Sequence, residues 1–155
     1  MALRQATQVV EKTPVISANG FEPIAIVGDY TVPAGVVIND VIEMGILPAG
    51  YVPIDAILAC DDLDTATGIT LDLGLISGVA GKADDARTCG NEAFAASTVG
   101  QAGGIARPTK KDFAFIAPNT ADRGVGLKIA AAATTPIVGA KIRLTLLARP
   151  AINGV

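Results

Sequence analysis

The stretch that decides the fold is Tyr51-Val52-Pro53-Ile54-Asp55-Ala56-Ile57-Leu58-Ala59-Cys60. Side chains at alternate positions of a β-strand share one face, so a strand buried on one side carries an apolar residue at every second position. The stretch predicts such a strand over residues 51–60. Its apolar face is expected to consist of Val52, Ile54, Ala56, Leu58 and Cys60.

The same alternation recurs on both sides of this strand. Isoleucine or leucine stands at every second position of residues 69–75 and 142–146. Pro33-Ala34-Gly35 and Pro48-Ala49-Gly50 have the Pro-x-Gly form that is typical of tight turns. The predicted strands are residues 23–32, 37–44, 51–60, 69–75, 113–117, 127–131 and 142–146.

Only residues 91–99 fit a helix. Asn91 suits the N-cap, Phe94 would face inward, and Gly100 follows the end of the segment. The preceding loop, from Gly78 to Cys89, is long and polar, and we expect it to be flexible.

Length and composition define the fold class. The chain has 155 residues, of which 50% are apolar and only 4% are aromatic, which suits one domain with an aliphatic core. Short strands separated by turns predict an all-β fold, an antiparallel β-sandwich of the jelly-roll type with at most one short helix. Residues 1–20 lack sustained periodicity and are expected to form an extended N-terminal arm, followed by a single β-sandwich domain over residues 21–155.

Composition also excludes several function classes. The chain has no histidine, which removes His-dependent catalytic triads and His-containing zinc sites. A formal charge of −3 has the wrong sign for a protein that binds nucleic acid by neutralising phosphates. No stretch resembles a signal peptide or a membrane span, so we expect no membrane partner and a reducing environment for two buried free thiols, Cys60 and Cys89.

No constellation of side chains predicts an enzyme, a cofactor or a required metal. Asp61, Asp62 and Asp64 supply the oxygen ligands that calcium prefers, but the EF-hand spacing fails, and a solvated turn is the favoured interpretation. Asp55 and Asp72 could form a glycosidase-like pair, and we interpret them instead as outward-facing strand carboxylates.

A series of short motifs resembles a pattern of small structural proteins of tailed bacteriophages. Some proteins of this kind resemble capsid decoration, or cement, proteins with jelly-roll folds. The resemblance implies a virion structural protein that binds the outer surface of a phage capsid and stabilises contacts between capsomers. The motifs are Gly45-Ile46-Leu47-Pro48-Ala49-Gly50, Val52-Pro53-Ile54-Asp55-Ala56-Ile57-Leu58, Asp61-Asp62-Leu63-Asp64-Thr65, Thr70-Leu71-Asp72-Leu73-Gly74-Leu75, Gln101-Ala102-Gly103-Gly104 and Ala121-Asp122-Arg123.

The resemblance also implies partners. These are the major capsid protein and further copies of this chain, with a homo-trimer favoured slightly over a dimer. We expect the arm to lie extended on one of them and to attach by strand augmentation. Two alternatives stay open: a tail or head-fibre component, and a carbohydrate-binding β-sandwich module. The expected interface residues are Ala2, Leu3, Arg4, Gln5, Thr7, Val9 and Val10.

Overall fold

A computed structural model describes residues 3–6, 10, 22–34 and 36–151. No helix in these ranges is long and apolar enough to cross a membrane. The predicted boundary between arm and domain, at residue 20, lies outside them and stays a prediction. The strands within the described ranges are β1 (Leu3–Gln5), β2 (Ile24–Thr31), β3 (Val41–Leu47), β4 (Tyr51–Cys60), β5 (Thr70–Ile76), β6 (Phe94–Ser97), β7 (Gly104–Ala106), β8 (Arg123–Ala131) and β9 (Lys141–Pro150).

The strands form two sheets. The first sheet has the order β1-β3-β8-β5-β6, and the second has the order β2-β9-β4-β7. All strand pairs are antiparallel except β1 with β3, which are parallel. Apart from β1, the two sheets have the strand order of an eight-stranded jelly roll, so the predicted fold class is confirmed.

The core between the sheets is aliphatic, as the composition predicted. The alternating isoleucines and leucines of segments 69–75 and 142–146 supply much of it. Five of them are at most 1% exposed: Leu71, Leu73, Ile142, Leu144 and Leu146. Glycine allows the sheets to approach closely at one edge, because a Cβ on Gly28 of β2 would overlap the carbonyl oxygen of Met44 in β3.

The predicted inner face of β4 is wrong at one position. Ile54 is 46% exposed, whereas Ala56 and Leu58 are fully buried. The register of β4 against β9 shifts between Pro53 and Asp55, and a bulge of this kind turns the intervening side chain to the other face. Strict alternation therefore holds only after the bulge.

The predicted helix at residues 91–99 is wrong. The segment instead forms β6, which pairs with β5, followed by a short 3₁₀ turn at Val99–Gln101. Ala96 adopts φ = 49°, and its N–H donates to the buried carboxylate of Asp72 at 2.8 Å, a local bond that competes with helical pairing. Phe94 does face inward, as predicted.

The predicted strand at residues 113–117 is also wrong. Lys111–Phe115 forms a 3₁₀ turn in which Phe113 is buried and Phe115 is 77% exposed. Pro108 and Pro118 bracket the segment, and proline has no N–H to donate to a sheet ladder.

Candidate interaction surfaces

The N-terminal residues predicted as an interface divide into three groups. Leu3–Gln5 form β1, which pairs in parallel with Val41–Glu43 at the edge of the first sheet. Val10 is 62% exposed. Ala2, Thr7 and Val9 lie outside the described residues.

A slot on β3 holds this strand through side chains as well as backbone. Leu3 packs against a small apolar cluster, and its N–H donates to Asp85 Oδ1 at 3.0 Å. Arg4 Nε donates to Asp40 Oδ2 at 3.0 Å, and Gln5 Nε2 donates to Glu43 Oε2 at 2.9 Å. We define the β1 slot as the side chains that receive these contacts: Val41, Ile76, Cys89, Asp40, Glu43 and Asp85.

Glu43 also forms a buried ion pair with Arg87. The two side chains are 0% and 2% exposed, and both guanidinium Nη atoms donate to the carboxylate at 2.8 Å. Arg87 makes further bonds to the carbonyl oxygens of Ser77 and Lys82. This pair fixes the segment after β5 against the outer face of the first sheet, so the expectation of a flexible loop from Gly78 to Cys89 is wrong.

Glycines make room for residues 77–92, which we call the cover of the first sheet. Gly74 and Gly124 lie in β5 and β8, and a Cβ on Gly124 would overlap the Glu43 carboxylate. A Cβ on Gly74 would overlap the carboxylate of Glu92, which accepts the N–H of Leu75 at 2.9 Å. The first sheet is therefore covered on both faces, by the core inside and by residues 77–92 outside.

The second sheet has a different outer face. Two ion pairs lie on it, Arg143 with Asp29 and Arg107 with Asp55, and each joins neighbouring strands. Between and beside them lie exposed or half-buried apolar residues, with the exposed cations Lys141 and Arg149 on the same face of β9. We call this surface the open face; its uncharged residues include Ala25, Val27, Ile54, Ile57, Ala59, Ile105, Thr145 and Leu147.

The acidic cluster after β4 is a structural junction. Asp61 and Asp62 each accept one backbone N–H, from Lys141 at 2.9 Å and from Asp64 at 3.0 Å. Among the described residues, no group of three or more Cys, Asp or Glu side chains is arranged to hold a metal ion. The fully buried Asp64 carboxylate accepts five backbone N–H groups at 2.6–3.1 Å, from Ala66, Gly68, Ile69, Thr134 and Thr135.

These bonds determine the acidity of Asp64. Burial raises the pKa of the carboxyl, but the N–H donors, with Thr135 and Thr134 the strongest, outweigh burial and hold the pKa well below its usual range. Thr134 and Thr135 precede β9, whereas Asp64 follows β4 and precedes β5. The carboxylate thus ties the loops of both sheets together at one end of the sandwich.

The remaining candidate groups show no catalytic arrangement. Asp55 and Asp72 lie in different sheets and each pairs with a cation, Arg107 and Lys128 respectively, so the structure does not bring them together. Cys60 and Cys89 are buried free thiols, as predicted. Burial raises the pKa of Cys60 to about 11 and that of Cys89 to about 12, which keeps both thiols protonated at neutral pH.

Comparison with known proteins identifies the family. No family profile matches the chain, and no curated protein matches it. A solved structure of the capsid of Ralstonia phage GP4 does match: the sequence identity is 42%, the TM-score is 0.92, and the alignment covers 98% of this chain and 100% of that one. The chain belongs to a family of phage capsid proteins. A chain of the cyanophage Pam1 capsid asymmetric unit has the same fold, with 24% identity, a TM-score of 0.63 and coverage of 90% and 96%.

Sequence reasoning missed the buried ion pair between Glu43 and Arg87 in this phage capsid protein. Glu43 lies within the predicted strand 37–44 and Arg87 within the predicted loop 78–89, and neither position indicates a charged partner. One signal was available: Gly124 and Gly126 alternate with apolar residues of β8, and glycines in outward positions indicate that another part of the chain approaches closely.

Proposed function

We propose that this capsid protein is a decoration, or cement, protein, which binds the outer surface of a phage capsid and stabilises contacts between capsomers. The observation that carries the proposal is the open face. The first sheet is covered by its own chain, whereas the second sheet leaves apolar side chains exposed between charged ones, on a protein whose relative belongs to a capsid.

A one-sided contact surface suits decoration better than shell building. A subunit that closes a shell must contact neighbours around its whole perimeter, whereas a decorating protein needs one face for the shell. Here a face of mixed character, with paired charges of both signs around apolar residues, fits a partner surface that is polar at its rim and apolar within. The proposed occupant of the open face is the major capsid protein.

The area of the open face favours several linked copies. Strands lie about 4.8 Å apart and rise about 3.3 Å per residue, so a four-stranded face measures roughly 500–600 Å². Standard interfaces bury about 800 Å² on each partner. A single copy would therefore attach weakly, and a homo-oligomer, a trimer before a dimer, would gain avidity.

The proposed location follows from the proposed partner. The protein is made in the cytoplasm of the host bacterium and is added to the exterior of the capsid. Its role is binding, with no reaction catalysed. The residues proposed to contact a neighbour remain the N-terminal set, Ala2, Leu3, Arg4, Gln5, Thr7, Val9 and Val10, in addition to the open face.

Copy number in purified particles tests the proposal. Quantitative mass spectrometry should find this chain in numbers comparable with the major capsid protein, and protease treatment of intact particles should reach it from outside. A handful of copies per particle would favour a tail or head-fibre component instead. Absence from particles, together with binding on a glycan array, would favour the carbohydrate-binding alternative.

A matched pair of variants tests the contact face. Ile57→Lys on the open face should prevent purified protein from binding to capsids that lack it. Val79→Lys, which changes a residue that is 69% exposed on the cover of the first sheet, should leave binding unchanged. Equal binding by both variants would contradict the assignment of the open face to the shell.

A further inference from the structure

We propose that the β1 slot accepts Leu3–Gln5 from a second copy of the chain, so that neighbouring copies exchange N-terminal strands on the capsid. This inference rests on the proposed function, because exchange requires copies that lie side by side. It names the partner of the arm as another copy of this chain rather than the shell protein.

The contacts in the slot are independent of which chain supplies the strand. They involve only Leu3–Gln5 and Ala6, whose N–H donates to the carbonyl oxygen of Glu43 at 2.7 Å. Ala6 is fully buried, whereas Val10, four residues later, is 62% exposed. The anchored segment is therefore short and self-contained, and the same segment from a second copy would make every one of these contacts.

The length of chain behind the anchor permits exchange. Residues 7–21 separate Ala6 from Glu22, which precedes β2. Val10 donates its N–H to the carbonyl oxygen of Ala6 at 3.1 Å, so only residues 11–21 are counted as extended; at about 3.3 Å per residue they reach roughly 40 Å. A compact chain of this size has a radius of gyration of about 15 Å, so the slot of an adjacent copy lies within reach.

Two further properties of the β1 slot are consistent with exchange: it is selective for the sequence that it binds, and β1 detaches from it easily. The slot selects an apolar–Arg–Gln sequence through its apolar cluster and through the buried carboxylates of Asp40 and Glu43. A three-residue parallel strand at a sheet edge opens far more easily than the core. Copies crowded on one surface have a high effective concentration for each other, so an opened slot meets a second arm.

Cysteine trapping on capsids tests the exchange. Leu3 and Val41 are register partners, so Leu3→Cys in one chain and Val41→Cys in another can form a disulfide only if the arm of one copy occupies the slot of the other. Both chains carry Cys60→Ala and Cys89→Ala to remove the native thiols. Equal amounts are bound to capsids together and oxidised mildly.

The controls separate exchange from chance encounter and from misfolding. A mixture of Leu3→Cys with Val79→Cys, which is 69% exposed and lies outside the open face, measures random collisions. A single chain with both Leu3→Cys and Val41→Cys measures occupation of the slot by its own arm. In the exchange mixture we expect covalent dimers at a yield at least about tenfold above the collision control, and Arg4→Ala in the donor chain should lower that yield about tenfold.

Each outcome decides the proposal. Dimers no more abundant than in the collision control, with all variants bound to capsids, would overturn the exchange and leave the proposed function intact. The same result with a strong internal disulfide in the double variant would show that each arm stays in its own slot. Failure of the unmutated protein to bind capsids would overturn the proposed function, and the exchange with it.

Discussion

The two sheets bury their inner faces alike and differ on their outer faces. The outer face of the first sheet is covered by residues 77–92 of its own chain, which bring Arg87 to Glu43 in a buried site. The second sheet leaves its outer face open and keeps its ion pairs at the surface, where Arg107 and Arg143 are about 60% exposed. The cover therefore stabilises the first sheet, whereas the uncovered outer face of the second sheet is available to a partner.

Breaking the buried pair should have the largest effect on stability. Glu43→Ala leaves the Arg87 guanidinium buried without its carboxylate and removes an acceptor from Gln5 and Gly81. Loss of one partner of a buried ion pair costs about 3–5 kcal/mol, so the free energy of unfolding measured in urea should fall by that amount.

The double variant Glu43→Met, Arg87→Met is the matched control. It removes both charges, so it should be more stable than either single variant although it carries more changes. A cost below about 1 kcal/mol for Glu43→Ala would show that the cover of the first sheet does not depend on this pair.

Asp64 joins the two sheets, and its effect should depend on pH. Because the pKa of Asp64 in the folded protein lies below that of the unfolded chain, the unfolded state takes up a proton first as the pH falls. The stabilisation is complete above the unfolded value, near pH 4, and is lost progressively as the pH falls towards the folded pKa.

Asp64→Asn should therefore lower the Tm at pH 7 by on the order of 5–10 °C, because the neutral amide has only one acceptor oxygen for five N–H donors. The difference in Tm between this variant and the unmutated protein should shrink between pH 4 and pH 2. Asp122→Asn, which changes an exposed carboxylate that accepts a single N–H from Ala49, is the control. A difference that stays constant over this pH range would contradict the assignment.

Sequence patterns predicted the strands that have one face in the core. They failed where local hydrogen bonds determine the backbone conformation or where long-range contacts bury the outer face. The strand predicted at residues 142–146 is confirmed, and its side chains alternate between the core and the outer face as the pattern indicates. The segments at 91–99 and 113–117 failed because Asp72 and flanking prolines, respectively, control their backbones. The covered outer face of the first sheet was missed because the contact between Glu43 and Arg87 joins residues 44 positions apart.

Charging the open face should change attachment far more than stability. Val27 is 39% exposed on β2, so Val27→Lys places an ammonium where water already reaches and should alter the free energy of unfolding by less than about 0.5 kcal/mol. A buried charge in a complex costs much more, so capsid attachment should weaken at least about tenfold. Val37→Lys, at one end of the sandwich, is a control with similar exposure.

The smallest effect should come from the exposed ion pair of the second sheet, which has the same chemistry as the buried pair of the first. Arg107 is 61% exposed and Asp55 is 28% exposed, so water screens their attraction. Arg107→Gln should cost about 0.2–1 kcal/mol in the free energy of unfolding, and 1 M salt should remove most of the difference, since the Debye length there is about 3 Å. The cost of Glu43→Ala should change little with salt, because the buried pair is shielded from the ions. If the two variants responded equally to salt, the contrast between a sealed and an open outer face would not hold, because the Glu43 site would then be accessible to solvent.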